Sequence, residues 1–197
     1  MKNNVTEIVF ILDKSGSMAG MEKDTIGGFN SMIEKQRGVE GMVYVSTVLF
    51  SGGSVVLHDR KPIEEIKPLT EKDYEPSGCT ALLDALGEAI KHIGNIHKYA
   101  RKEDVPERTM FVITTDGEEN ASKTFTGADV KKRIKEQTDN YHWEFQYLAA
   151  NQDAFVSGEA LGLDHDRCVA WFSSKAGIAE ACGKISSFAA KIRSMKG

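Results

Sequence analysis

The sequence has no apolar run approaching the ~20 residues that a membrane-crossing helix needs. It has only three cysteines, Cys79, Cys168 and Cys182, and none forms a C-x-x-C pair, which removes the spacing of a structural zinc site. Their odd number and wide separation argue against a disulfide framework and for a reducing compartment. No basic stripe marks the chain, so nucleic acid is not an expected partner, and no acidic tract suggests a disordered arm. The net charge of −4 is spread among mixed acids and bases and reads as ordinary solubility. The phosphate loops G-x-G-x-x-G and G-x-x-x-x-G-K-[ST] are missing. So is the nucleophile elbow G-x-S-x-G, because Ser15 rather than glycine stands two residues before Ser17. No repeat, low-complexity tract or break in composition divides the chain, which reads as one domain over 1–197. The segment Met1–Glu7 enters a strand at once and leaves no room for a signal peptide, so cytoplasmic residence is expected.

What is present is an alternation of strand and helix patterns. Residues 5–12 form a near-continuous apolar run, as in a central strand covered on both faces. Ile26, Phe29 and Ile33 recur at helical spacing within 22–36. Gly27 and Gly28 weaken that helix and are expected to permit close packing on the sheet. A second strand spans 42–50, and after the turn Ser51-Gly52-Gly53-Ser54 a short antiparallel partner returns over Val55–His58. Residues 59–79, with Pro62, Pro68, Pro76 and Gly78, read as loop. Leu82, Leu86, Ala89 and Ile93 mark a long amphipathic helix. Arg108–Thr115 is a buried strand, 126–138 a helix, Trp143–Tyr147 a fifth strand and Cys168–Phe172 a sixth. A C-terminal helix over 175–195 carries Ile178, Cys182, Ile185, Ala189 and Ile192 on one face. The fold class that follows is α/β: a doubly wound, mostly parallel central sheet of about six strands, with one antiparallel edge strand and helices on both faces.

Three segments then place oxygen donors at one edge of such a sheet. The first strand runs into Asp13-x-Ser15-x-Ser17, giving one carboxylate and two hydroxyls in a tight loop at the strand's carboxyl end. Thr80 stands at the start of the long helix, and Asp116-Gly117 follows the buried strand Arg108–Thr115. In open α/β sheets ligands bind outside the carboxyl ends of strands. Hard oxygen donors of this kind suit Mg²⁺ or Mn²⁺. Taken singly, the serines are also turn residues, Asp13 a capping acid, Thr80 an ordinary N-cap and Asp116-Gly117 a turn. It is their joint occurrence that points to a metal site.

This pattern resembles the von Willebrand factor A domain and the integrin inserted domain, whose site is the metal-ion-dependent adhesion site. The resemblance covers essentially the whole chain, and all five positions are filled: Asp13, Ser15, Ser17, Thr80 and Asp116. It implies that these residues hold the ion and that an Asp or Glu carboxylate from a partner protein, here unidentified, completes the coordination. No nucleic acid and no membrane is expected as partner. Among neighbouring residues, Asp84 lies one turn after Thr80; it either hydrogen-bonds a ligand hydroxyl or is simply an acid favoured in a helix's first turn. Glu118, Glu119 and Asn120 follow Asp116 on the rim, where they read chiefly as a solvated acidic loop. Asn151 and Asp153, after the fifth strand, are further candidates for the rim. The histidines His58, His92, His97, His142 and His165 show no ligand spacing.

A strand ending in Asp is also similar to phosphotransferases of the haloacid dehalogenase type, where the Asp is a nucleophile. Those enzymes need a second acid two residues on, and Ser15 stands there instead. Binding without catalysis is therefore the expected function. An assembly scaffold with an idle metal site is the other reading left open. The stand-alone bacterial forms associated with tellurium resistance and stress are similar in being a bare domain.

Overall fold

The computed structural model describes residues 4–116, 118–150, 153–171 and 177–194. At its centre lies β1 (Val5–Asp13), buried along its length from Thr6 onward. It pairs in parallel with β2 (Met42–Phe50) on one side and β4 (Arg108–Thr115) on the other. Outside β2 runs β3 (Ser54–Pro62), antiparallel. Outside β4 run β5 (Glu144–Ala150) and β6 (Cys168–Trp171), both parallel. The sheet order is thus β3-β2-β1-β4-β5-β6. The chain winds outward from β1 in one direction and then returns to wind in the other. The switch falls between β1 and β4, and in open sheets of this kind ligands bind outside the strands' carboxyl ends at such a point.

The two faces divide the core by strand alternation. Ile8, Phe10 and Leu12 point to a layer made by α1 (Glu22–Arg37) and α5 (Gly177–Ser194), including Phe29, Ile33, Cys182 and Ile185. Val9 and Ile11 point to α2 (Leu82–Tyr99) and α3 (Gly127–Tyr141), including Leu86, Ile90, Val130 and Ile134. Phe10 meets Phe29 edge-on at 5.0 Å between ring centroids. Each such buried side chain contributes about 1.5–3 kcal/mol relative to exposure, so the two apolar layers dominate the stability of the sheet. Helix α3 begins at a capping box, Thr126 with Asp129, and ends where His142 takes up a left-handed conformation.

The doubly wound sheet with its antiparallel edge matches the sequence-based expectation, and several local features differ from it. β3 extends to Pro62 rather than stopping at His58, and a 3₁₀ turn follows at Ile63–Glu65. Two register shifts against β2 and a left-handed Arg60 break the alternation that would have marked this strand. Within the expected loop 59–79, Ile63, Ile66, Leu69 and Tyr74 are buried against the α1 layer. An additional short helix, α4 (Asp153–Ala160), lies against β5 and β6. Gly27 is exposed with open space around it, and only Gly28 faces inward. Phe172 lies outside the described residues. All three cysteines are free. Among the described residues no helix is long and apolar enough to cross a membrane.

Candidate metal centre

The carboxyl end of β1 places Asp13 at the switch point with no exposed surface. Its Oδ1 accepts the Ser15 backbone N–H at 2.7 Å, and its Oδ2 accepts the Thr115 hydroxyl at 2.6 Å. Tyr74 donates its hydroxyl to the Asp13 carbonyl. The Ser17 hydroxyl donates to Asp116 Oδ1 at 2.7 Å and lies 3.0 Å from the Ser15 hydroxyl. The Ser17 hydroxyl thus stands between the Ser15 hydroxyl and the Asp116 carboxylate.

Backbone contacts lock the segment after β1 onto the one before α2. Gly16 N–H donates to Gly78 C=O at 2.9 Å, and Ser77 N–H to Lys14 C=O at 2.8 Å. The approach is close enough that a Cβ on Gly16 would stand 3.3 Å from the Gly78 oxygen. Gly78 itself sits at φ +78°, in the left-handed region. Thr80, buried, is joined in turn to the segment after β4: its N–H donates to Asn120 Oδ1 at 2.9 Å, and its C=O accepts Asn120 N–H at 3.0 Å and Ala121 N–H at 3.2 Å. The three segments that carry Asp13, Ser15, Ser17, Thr80 and Asp116 are therefore adjoining.

The electrostatics are one-sided. Burial pushes the Asp13 carboxyl above its ordinary value; hydrogen bonds from Thr115 and Ser15 oppose this, and the nearby Asp116 charge adds to it. Burial likewise raises Asp116, against the Ser17 hydrogen bond. Among the described residues no Lys, Arg or His forms an ion pair with either carboxylate. A bound cation would relieve both burial and mutual repulsion, so the donor set fits a hard divalent ion. No group of three or more His, Cys, Asp or Glu side chains gathers anywhere among the described residues. The carboxylates of Asp13 and Asp116 and the hydroxyls of Ser15 and Ser17 are the oxygen donors gathered here, with the Thr80 backbone adjoining.

The rim departs from the sequence-based expectation. Asp84 makes no bond to a ligand hydroxyl among its described contacts. Its Oδ2 accepts Lys123 N–H at 2.8 Å, and its Oδ1 accepts Thr124 and Phe125 N–H at 2.9 and 2.8 Å. Glu119 is only partly exposed and is tied into the fold, whereas Asn120 is exposed but bonded to Thr80. Glu119 Oε2 accepts Leu83 N–H at 2.8 Å and the Ser122 hydroxyl at 2.8 Å, and its Oε1 accepts Ala121 and Ser122 N–H at 2.9 and 2.7 Å. Glu118 is exposed. Asn151 lies outside the described residues, and Asp153 is placed only as the first residue of α4. Sequence reasoning missed Tyr74, which holds the Asp13 carbonyl, and Thr115, which holds its carboxylate. Thr115 had a readable signal, as a hydroxyl directly before Asp116 on a buried strand.

No protein-family model matches the chain, and no curated protein matches it in sequence. Solved structures do match its fold. The vWF domain of the type V pili tip protein Mfa5 from Porphyromonas gingivalis is 13% identical, with a TM-score of 0.65 over 98% of this chain and 97% of that one. Proximal thread matrix protein 1 from the mussel byssus, with a zinc-occupied MIDAS motif, is 13% identical, with a TM-score of 0.63 over 94% of this chain and 46% of that one. The manganese-loaded Plasmodium vivax TRAP protein is 14% identical, with a TM-score of 0.60 over 92% of this chain and 73% of that one. The chain spans less than half the length of several such neighbours. At these identities the likeness is one of fold, and the fold is that of a von Willebrand factor type A domain.

Proposed function

We propose that this chain is a metal-dependent protein-binding module whose Asp13, Ser15, Ser17, Thr80 and Asp116 hold Mg²⁺ or Mn²⁺. The observation that carries the reading is the pair of carboxylates, Asp13 fully buried and Asp116 half-buried, with only hydroxyl and backbone N–H donors among their described partners. When bound, the ion supplies an electrophilic centre that accepts one further oxygen, here from an Asp or Glu side chain of the partner. The chain's own residues prepare for it. Thr115 and the Ser15 N–H fix the Asp13 carboxylate, and the Ser15–Ser17 chain fixes Asp116. The hydroxyl and carboxylate oxygens are hard ligands, suited to Mg²⁺ or Mn²⁺. Neighbours of the same fold carrying zinc in a MIDAS motif or loaded with manganese support a divalent ion in general. The module is not an enzyme in this reading. Ser15 occupies the place of a phosphotransferase's second acid, and a serine hydroxyl cannot do that acid–base work near neutral pH.

Calorimetric titration of the chain with Mg²⁺ and with Mn²⁺ tests the first half of the proposal. Binding is expected in the unmodified chain and lost in Asp116→Ala. Affinity capture from the native cell extract in Mg²⁺, in EDTA and with Asp116→Ala tests the second half. A partner held only by the unmodified chain in Mg²⁺ is the expected result. Capture that survives both EDTA and the substitution would overturn carboxylate recognition through a metal.

A further inference from the structure

The start of α2 has an unusual source of caps. Its N-cap residue, Ala81, offers no side-chain acceptor, although the first N–H groups of a helix have no partner within the helix itself. The acceptors come from the segment after β4, some 36–40 residues away in sequence. Asn120 Oδ1 takes Thr80 N–H at 2.9 Å, Glu119 Oε2 takes Leu83 N–H at 2.8 Å, and the Ser122 hydroxyl takes Asp84 N–H at 3.0 Å. The helix reciprocates through Asp84, whose carboxylate accepts the N–H groups of Lys123, Thr124 and Phe125. Phe125 is then seated on Gly87, one turn further along α2, where a Cβ would stand 2.6 Å from the ring. Each segment caps the other, and both lie directly beside a residue of the site: Thr80 precedes α2, and Asp116 precedes Glu119.

We propose that Glu119 and Asp84 are positioning residues that clamp the Thr80 segment to the Asp116 segment and thereby set the site's preference for Mg²⁺ over Ca²⁺. The inference rests on the metal-binding reading above. Two carboxylates are used where a single Ser or Asp N-cap would satisfy a helix end. They engage six backbone N–H groups between them, and four of these bonds, from Leu83 to Glu119 and from Lys123, Thr124 and Phe125 to Asp84, cross between the two segments and hold the start of α2 against the segment that follows Asp116. By contrast, the Ser17 hydroxyl is a single hydrogen bond between Asp116 and the first segment. A rigid spacing matters most for a small ion. Mg²⁺ demands near-ideal octahedral geometry at about 2.0–2.1 Å, whereas Ca²⁺ accepts six to eight oxygens at about 2.3–2.6 Å in flexible arrangements. Loosening the clamp therefore penalises Mg²⁺ and leaves Ca²⁺ nearly untouched.

The test is calorimetric titration of the full chain with Mg²⁺ and, separately, Ca²⁺, for the unmodified protein, Glu119→Gln and Asp84→Asn. An amide has one acceptor oxygen where the carboxylate uses two, so either change turns an N–H₂ group toward a backbone N–H. Each variant is expected to lose about tenfold in Mg²⁺ affinity, at the lower end of what residues supporting metal ligands contribute. The Mg²⁺/Ca²⁺ affinity ratio should fall by nearly the same factor. A lowered thermal midpoint with an unchanged ratio would overturn the clamp as a selectivity device and leave metal binding standing. Failure of the unmodified chain to bind Mg²⁺ would overturn both. Hydrogen exchange on the unmodified chain needs no variant. Mg²⁺ is expected to slow the Leu83, Lys123, Thr124 and Phe125 amides together, because coupling between metal and clamp is reciprocal. Rates indifferent to Mg²⁺ would overturn the inference.

Discussion

Strand β1 buries two carboxylates, Glu7 near its start and Asp13 at its end, and both are fully inaccessible. Their surroundings are opposite. Glu7 Oε1 accepts Arg60 Nε at 2.7 Å, and Oε2 lies 2.6 Å from His97 Nε2. One acid thus ties β3 and α2 to the central strand from within. Asp13 has neutral donors only, with a second carboxylate nearby that raises it further. A buried charge is tolerated when it is paired and hydrogen-bonded. At Glu7 the fold provides the counter-charge. At Asp13 it provides neutral donors that orient the carboxylate, and in the proposed reading a metal ion supplies the counter-charge. The two ends of the strand therefore differ in whether a cation of the chain reaches the acid, and the proposed binding end is the one where none is described.

The comparison is broken or sharpened most strongly at Glu7. Removing one partner of a buried ion pair costs about 3–5 kcal/mol, so Glu7→Ala is expected to lower the urea-unfolding free energy by about that much, equally with and without Mg²⁺. A loss restored by Mg²⁺ would erase the distinction between the two ends. Next comes Asp13→Asn. At a metal concentration 100 times Kd the unmodified chain gains about 2.7 kcal/mol of stability, and the variant is expected to gain none. In EDTA the variant should equal or exceed the unmodified chain in thermal midpoint, because one of two like charges is gone. A marked loss in EDTA would make Asp13 structural, like Glu7.

Ser17→Ala is smaller. It removes the hydroxyl's two hydrogen bonds, to Ser15 and Asp116, worth about 1 kcal/mol each at most, from the metal-free fold while weakening Mg²⁺ binding in calorimetry. Equal Mg²⁺ affinity in Ser17→Ala and the unmodified chain would exclude Ser17 as a ligand.

The smallest effect is the acid response of the clamp. At Asp84 burial raises the carboxyl, but the backbone donors of Lys123, Phe125 and Thr124 outweigh it and hold it below the ordinary 3.8. At Glu119 burial is likewise outweighed, by Leu83, Ser122 and Ala121, holding it below 4.5. Acids lowered in the native state contribute stability that is present above those ordinary values and fades as pH falls through the lower native ones. The Thr124 and Phe125 amide resonances should therefore titrate with a midpoint below pH 3.8. A shift already complete above pH 4.5 would show that these carboxylates are not held by the loop.

Much of the arrangement is legible in the sequence. Runs such as 5–12 and 108–115 announce buried parallel strands because both their faces are covered. Asp13, Ser15, Ser17, Thr80 and Asp116 each stand at an element's end, so the winding rule for such sheets brings them to one edge. β3 beyond His58 was hidden by its bulges and by Arg60. The burial of Ile63, Ile66 and Leu69 was hidden by the prolines and irregular backbone around them. The clamp was illegible for a different reason: Glu119, Asn120 and Asp84 look like any acidic loop and helix start until their partners are known.

By itself, then, the sequence determined the order of strands and helices, the antiparallel edge and the chemical type of the donors at the sheet's carboxyl edge. These follow from periodicity, turn residues and hydroxyl-bearing side chains, all set by near neighbours. Only the tertiary structure decided which acids are partnered and by what. Glu7 finds Arg60 and His97 53 and 90 residues away, Asp13 finds Thr115 102 residues away, and Glu119 finds Leu83 36 residues away. A buried carboxylate's role depends on the charge within a few ångströms of it, and that is a property of the assembled fold.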